Sequence, residues 1–384
     1  MKVLKNTAIV LIAFYLALFG FTKVIHYPEP ISTIRLGFAP ASKTPDLMPS
    51  HIIKAGAKVS EWQMGTPETP GTVVYNGKSI SFQDFLDTTH TNAFLVIRNG
   101  KITYEYYKEK KFSEMRLPSY SVGKTMTSIV VGQLIDQGKI SEKDTFVKYF
   151  PEFKTGGSFD KITIQQLLDM QSGVGVSDNY PSGPSGWGVA IAQMYGGTDM
   201  HWFLKHNRKM AFEPGTDSIY RSVDPQMIGM IIKKVTGQTV SDYFSEHVWK
   251  VVGAEHDATW NVDHVGGIEK TFCCFNAFAR DYARVGQLIM NHGIVPETKQ
   301  QVISASWMKR LTTPVTRLDY EWGYGAYMWH PYPGVSLMLG LHGQFVYSDI
   351  PNKTLIVKLS DEPTDTDNLS PMVAAVLKQV SERS

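Results

Sequence analysis

Strand-forming sequence lies at both ends of the main body of this chain, with helix-forming sequence between. Residues 93–107, AFLVIRNGKITYEYY, are two β-rich runs joined by Asn99-Gly100, a dipeptide that favours a tight hairpin turn. Four more runs near the other end, 324–329, 335–341, 344–349 and 353–360, have the same character. Between them, apolar residues recur at helical spacing. Over 121–138, Val122, Met126, Ile129, Val130 and Leu134 share one face, and Gly138 stops the run. Further helices are predicted at 160–170, 224–236, 239–248, 277–291 and 304–311, and a last one at about 370–382. The simplest fold is of the α/β (α+β) class. Strands from both chain ends form a mostly antiparallel sheet flanked by helices, and a mainly helical region, about 125–310, is inserted between the two strand groups.

The first 27 residues stand apart. Lys2 and Lys5 precede an apolar run from Thr7 to Phe21, and Lys23 and His26 follow it. This pattern predicts a secretory signal or an N-terminal membrane anchor, and so an exported protein, periplasmic or held at the inner membrane. As a helix, Thr7 to Thr22 rises only about 24 Å, short of a hydrocarbon core of roughly 30 Å. Residues 28–80 are rich in Pro, Gly, Ser and Lys with little periodicity, which predicts an extended segment wrapping a domain at 81–384. Residues 171–199 carry seven glycines and read as a long irregular loop, a kind of segment that usually serves function.

Composition excludes several classes. Hydrophobic residues are 43% of the 384 and charged residues 19%, which supplies a large core and rules out bulk disorder. Lys plus Arg total 38 against 36 Asp plus Glu, so no basic surplus exists for a nucleic-acid partner. The two cysteines, Cys273 and Cys274, are adjacent. Their Cα atoms must lie about 3.8 Å apart, below the roughly 4.4–6.8 Å of ordinary disulfides. They are expected to be small packing residues in a fold without disulfides. Neither a Cys-x-x-Cys nor a His-Glu-x-x-His pair occurs, so no metal site is expected.

Ser-x-x-Lys occurs three times: Ser121-Val-Gly-Lys124, Ser158-Phe-Asp-Lys161 and Ser306-Trp-Met-Lys309. On a helix, residues i and i+3 share a face, so the amine stands beside the hydroxyl and takes its proton if burial lowers the amine's pKa. Ser158 lies in polar sequence after Gly156-Gly157, and Ser306 starts a surface helix. Only Ser121 opens a long apolar helix, where it is either a nucleophile or an ordinary helix cap. Gly123 costs that helix about 1 kcal/mol relative to Ala and leaves room for a backbone or a substrate. Tyr-x-Ser also occurs three times. Tyr180 lies in the Gly-rich loop, Tyr243 packs in mid-helix, and Tyr220-Arg-Ser222 follows Phe212-Glu-Pro-Gly215. Ser177-Asp178-Asn179 competes with Tyr220 as a second proton-handling element. A third element is His342-Gly343-Gln344, between two apolar runs. Its glycine marks either a close approach or a core position beside a satisfied histidine. No Gly-x-Ser-x-Gly or phosphate-binding loop is present.

In this order the pieces resemble the serine β-lactamase and penicillin-binding-protein superfamily. They are most similar to its class C-related branch of esterases, D-aminopeptidases and 6-aminohexanoate-dimer hydrolases. The similar stretches are SYSVGKTMTSIVVGQLIDQGKI, ITIQQLLDMQSGV, FEPGTDSIYRSVDPQMIGMIIKKVTG, ARDYARVGQLIMNHG and GLHGQFVYSD, within about residues 93–360. The resemblance implies a β-lactamase/DD-peptidase-like fold and a serine hydrolase without cofactor or metal. It implies Ser121 as nucleophile, Lys124 as its base partner and Tyr220 as second proton-transfer group. The backbone N–H groups of Ser121 and Phe345 would form the oxyanion hole. Tyr180, Ser222, His342, Gly343 and Gln344 are implied in substrate binding, and Ser177-Asp178-Asn179 then counts as coincidence. Lys124 and Tyr220 form one coupled titrating unit, and the sequence leaves open which is the base.

Members of the superfamily that act on β-lactams or D-peptides usually carry Lys-Thr-Gly at the third position, where the Lys holds a carboxylate. Here His342 stands in its place, and a neutral imidazole is a poorer anchor. The expected substrate is therefore a small linear amide or ester. The alternatives are a β-lactamase or D-amino-acid peptidase acting on cell-wall-type substrates, and a penicillin-recognising sensor or scaffold.

Overall fold

The computed structural model describes residues 2–178, 189–361 and 369–383. Strands β1 (Thr91–Arg98) and β2 (Lys101–Tyr107) form the expected hairpin. Asn99 and Gly100 turn it at φ 50° and 79°, the left-handed pair that a two-residue turn needs. Six further strands follow: β3 (Thr316–Arg317), β4 (Gly323–Gly325), β5 (Met328–His330), β6 (Val335–Gly340), β7 (Gln344–Asp349) and β8 (Thr354–Ser360). The sheet order is β2-β1-β8-β7-β6-β5-β4-β3, with every neighbour antiparallel. The two ends of the chain meet where β1 lies on β8, from Arg98 opposite Thr354 to Thr91 opposite Ser360. The run 324–329, expected as one strand, is two, because Ala326 and Tyr327 take φ 50° and 64° and turn the chain back on itself.

The helices that matter here are α1 (Lys2–Val24), α2 (Pro30–Phe38), α3 (Val122–Asp136), α4 (Val189–Gly196), α5 (Val223–Thr236), α6 (Ala279–Met290) and α7 (Leu369–Ser381). Helix α6 packs on the sheet face of Val346 and Leu355. A Cβ at Gly286 would sit 2.5 Å from Leu355 Cδ1 and 2.9 Å from Val346 Cγ1, so only glycine permits this approach. Helix α7 covers the other face, where Ser381 Oγ donates to Asp349 at 2.7 Å and Arg98 Nη2 donates to the Val380 carbonyl at 2.7 Å. The helix expected over 160–170 is a 3₁₀ turn, Ser158–Lys161, and a short helix, Ile164–Leu168, whose Thr163 and Gln166 form a capping box.

Residues 28–80 are more structured than an extended wrap. They hold α2, a 3₁₀ segment Ala41–Leu47, a strand Ser50–Ile53 and a hairpin of Thr72–Tyr75 with Lys78–Ser81. The strand Ser50–Ile53 pairs with Ala258–Asn261, which pairs with Phe275–Ala277, and Leu117–Pro118 completes this second sheet. Elements of four residues are too short to show a period. Helix α1 is longer than its apolar run because the flanking lysines join it. Its 23 residues rise about 35 Å, enough to cross a bilayer, and its apolar side chains are exposed.

Candidate active site

Leu117–Pro118 pairs with Asn276 and Ala277, and Ser119 N–H donates to the Phe275 carbonyl at 2.8 Å. The chain then turns sharply through Tyr120, whose φ of 43° is rare for a residue with a side chain. The Tyr120 ring is held on three sides. It stacks on Tyr195 of α4 at 6.3 Å, lies against His342 at 4.8 Å, and its hydroxyl is 3.5 Å from Thr44 Oγ1. The turn delivers Ser121 to the start of α3. Ser121 holds the cap position, yet its side chain makes no cap hydrogen bond. Its Oγ accepts from Lys124 Nζ at 2.7 Å instead. That disposes of the helix-cap alternative. Ser158 caps nothing comparable and bonds Glu213, and Ser306 is exposed beside Ser304, the actual cap of its helix.

Lys124 is 1% exposed. Besides Ser121, its Nζ donates to Ser222 Oγ at 3.1 Å and to the Phe272 carbonyl at 2.7 Å. Burial lowers its pKa to about 7, while the charges of Asp178 and Asp224 pull upward. The Phe272 carbonyl reaches Lys124 because the 271–274 segment runs close under α3. A Cβ on Gly123 would lie 3.0 Å from the Cys273 carbonyl oxygen, so the glycine admits a neighbouring backbone. Cys273 and Cys274, expected to be unbridged packing residues, are joined to each other in a vicinal disulfide, with Cys274 at φ 68°. Such a bridge closes a small ring around one peptide bond. The usual Cα spacing, which applies to distant segments, does not test it.

Tyr220 enters from the turn before α5. Its ring stands 4.8 Å from Lys124 Nζ, stacks on Trp329 at 5.6 Å and meets the edge of Tyr324 at 6.1 Å. Burial drives the Tyr220 pKa well up, and hydrogen bonding with Ser121 opposes this, so the phenol is neutral at rest. Tyr243 packs in its helix and accepts from Gln137, as expected. Ser222 is fully buried and is a link in the lysine network. Its N–H and Oγ donate to the two oxygens of Asp178 at 2.8 and 2.5 Å. The Ser177-Asp178 pair, set aside as coincidence on sequence, therefore sits at the site, with both residues on the cleft wall.

The cleft has a volume of about 300 Å³ and opens over Ser121 and Tyr220. Asp178, Asp319, Trp329 and Leu341 are among the residues lining it. Asp319 has its pKa raised by burial and then by Asp178. The third sequence element is placed differently from expectation. His342 and Gly343 form the β6–β7 turn at φ 60° and 77°, and His342 faces Tyr120. Gln344 is fully buried, and its amide N–H groups donate to the His342 and Ser360 carbonyls, so it fastens the turn. Phe345 lies inside β7 with β6 and β8 on either side, so its N–H belongs to the sheet. The backbone that reaches Ser121 is Gly340–Leu341, where a Cβ on Gly340 would lie 2.2 Å from the Ser119 carbonyl oxygen and 3.2 Å from Ser121 N. Tyr180 lies outside the described residues.

Sequence reasoning named Asp178 but set it aside, and missed Asp319, Trp329 and Leu341. Of these three only Leu341 carried a usable signal, as the residue just before the His-Gly-Gln element.

The Beta-lactamase family model matches residues 82–377. The 6-aminohexanoate-dimer hydrolase of Paenarthrobacter ureafaciens is 29% identical over 326 residues, 77% of this chain and 79% of its own. A solved structure, "Putative 6-aminohexanoate-dimer hydrolase from Bacillus anthracis", superposes with a TM-score of 0.79 at 22% identity, covering 92% of this chain and 94% of that one. A family VIII carboxylesterase superposes with a TM-score of 0.59 at 20% identity, covering 77% and 94%. At such identities the two structures establish a shared fold.

Proposed function

The chain belongs to the Beta-lactamase family, and from that premise we propose that it hydrolyses linear amides or esters through an acyl-enzyme on Ser121. It is a serine hydrolase. The observation that carries the nucleophile assignment is the 2.7 Å contact of Ser121 Oγ with a lysine whose pKa is lowered to about 7. Lys124 in its amine form takes the hydroxyl proton as Ser121 Oγ bonds to the substrate carbonyl carbon. Tyr220, held neutral, cannot be the resting base. It relays that proton to the departing amine or alcohol as the scissile bond breaks. Water then adds to the acyl-enzyme, gives its proton back along the same route, and releases the acid and free Ser121.

The oxyanion is met by the N–H groups of Ser121 and Leu341, and loss of one such donor typically costs about 3–4 kcal/mol of transition-state stabilisation. Two carboxyl groups, Asp178 and Asp319, line the cleft wall. They favour a substrate with an amino group at the end that enters the cleft. That supports a substrate of the kind named for the Paenarthrobacter relative, an amino-terminated linear amide. Helix α1 holds the exported enzyme at the membrane.

The test is hydrolysis of p-nitrophenyl acetate and of the 6-aminohexanoate dimer by the full chain, with Ser121→Ala beside it. Turnover of both, absent from the mutant, supports the reading. A stoichiometric burst without turnover points to an acylated sensor, and preferential hydrolysis of a β-lactam points to the lactamase alternative.

A further inference from the structure

The carbonyls of three consecutive residues, 271–273, meet α3. Thr127 Oγ1 donates to the Thr271 carbonyl at 3.2 Å, and Lys124 Nζ donates to the Phe272 carbonyl at 2.7 Å. The Cys273 carbonyl oxygen lies 3.0 Å from where a Cβ on Gly123 would be. One residue on, the direction reverses. The Cys274 carbonyl turns to the second sheet and accepts from Asn261 N–H at 2.9 Å and Asn276 Nδ2 at 3.1 Å. The Phe275 carbonyl accepts from Ser119 N–H, and the chain continues as the strand paired with Leu117–Pro118. One short segment thus supports Lys124 with its first half and the approach to Ser121 with its second.

The reversal falls at Cys274, whose φ is 68°. A residue with a Cβ seldom holds that conformation unaided. The bond to Cys273 closes a ring that contains the peptide between the two residues, and so small a ring leaves its backbone torsions little freedom. That peptide carries the Cys273 carbonyl, which is wedged between Gly123 and Trp260, whose Nε1 donates to it at 2.8 Å. Both cysteines are buried and neither lines the cleft, so the bridge acts from beneath the site. The start of the segment is tied down without the sulfurs. Thr271 Oγ1 donates to the Pro225 carbonyl at 2.7 Å, and Cys273 N–H donates to the Lys270 carbonyl at 3.0 Å. A chain without the bridge is therefore expected to fold, and what it loses is control of the turn at Cys274.

We propose that the Cys273–Cys274 bridge is a positioning element for the catalytic pair: it holds Cys274 in the left-handed conformation and so keeps the carbonyls of 271–273 on α3 while Phe275 stays on Ser119. Without the bridge, residue 274 relaxes to negative φ, the Cys273 peptide rotates, and the Phe272 carbonyl leaves Lys124. The amine then loses one of the partners that hold it on Ser121. The inference rests on reading Lys124 as the base.

The experiment compares p-nitrophenyl acetate hydrolysis by the full chain with that of two bridge-free forms, Cys273→Ser with Cys274→Ser, and Cys273→Ser with Cys274→Gly. The first is expected to lower kcat by about 10- to 100-fold with KM little changed. Water reaching the loosened amine relieves the burial that lowers its pKa, so the ascending limb of kcat/KM should move to higher pH. The second form should recover kcat to within a fewfold of wild type and return the limb, because glycine takes a φ near 68° without a Cβ penalty. A bridge that served stability alone would change the melting temperature and leave kcat and the limb of the folded serine form in place, which overturns the proposal. A glycine form no better than the serine form also overturns it. Should the serine form fail to fold, the glycine form decides: wild-type kcat and limb support the proposal, and a large loss of kcat overturns it. Wild-type protein that yields free thiols when denatured without reductant has no bridge, and overturns it too. Absence of wild-type turnover, or turnover that survives Lys124→Ala, overturns the underlying reading of the site, a result separate from any difference between the two bridge-free forms.

Discussion

Replacing Asp178 by Asn tests whether the buried network sets the pKa of the base. The perturbation removes one negative charge and keeps a side chain that can still accept from Ser222. Asp178 meets Lys124 through Ser222, by contacts of 2.5 and 3.1 Å, so the carboxylate lies no more than about 5.6 Å from Nζ. At an effective dielectric of ~20, two unit charges at that distance interact by about 3 kcal/mol, or about 2 pH units. Water in the cleft screens one side of Asp178, which reduces the expected shift to about 1 unit. The sign follows from which form the charge favours. The carboxylate stabilises the ammonium form of Lys124, so its loss lowers the lysine pKa from about 7. More amine is then present in acid. The ascending limb of kcat/KM for an uncharged ester, which reports the free enzyme, should move to lower pH by about 1 unit. At alkaline pH the two enzymes should converge. A limb that stays in place means that the charge does not reach Lys124. A limb that moves to higher pH means that Lys124 is not the group being titrated.

Ser121→Ala should abolish ester turnover without changing the melting temperature, and near wild-type activity would remove Ser121 from the mechanism. Tyr220→Phe keeps the ring on Trp329 and should lower the acylation rate by about 10²–10⁴-fold, measured from the burst; a rate within a fewfold of wild type would exclude the relay. Gly340→Ala places a methyl 2.2 Å from the Ser119 carbonyl oxygen, and a displacement near 1 Å at the nucleophile should cost about 100-fold in kcat. An unchanged kcat would refute the close approach of β6. Denatured, unreduced protein should take up no alkylating reagent, and reduced protein two equivalents, because Cys273 and Cys274 are bridged.

What was legible in the sequence was local. Ser121 and Lys124 are one helical turn apart, so their contact follows from helix geometry and the apolar run around them. The hairpin at Asn99-Gly100 likewise depends on two residues. The oxyanion donor was placed at Phe345, which lies inside the sheet, whereas the backbone that comes close to Ser121 is at Gly340. Which strand edge faces a nucleophile depends on how β6 docks on the start of α3, and that is settled by residues some two hundred positions away. Asp178 was discounted for the same reason. Its role exists only because the fold carries Ser222 to it. Gln344, expected to touch substrate, ties down its own turn, a distinction that turns on burial. The short elements between residues 28 and 80 were invisible because a four-residue strand is specified by its partner.

The pairing of β1 with β8 also governs the order in which the enzyme comes into being. Arg98 lies opposite Thr354, a partner synthesised late in the chain. Loop closure over such a span adds modestly to the free energy, but non-local pairing slows folding strongly. A chain that has made α3 holds a serine and a lysine but not the Gly340 backbone that packs against them, because β6 has yet to be translated. Strand β1 stays without its second neighbour until β8 exists. This topology defers both compaction and reactivity, and the hydrolase gains its activity only after nearly all of it has been synthesised.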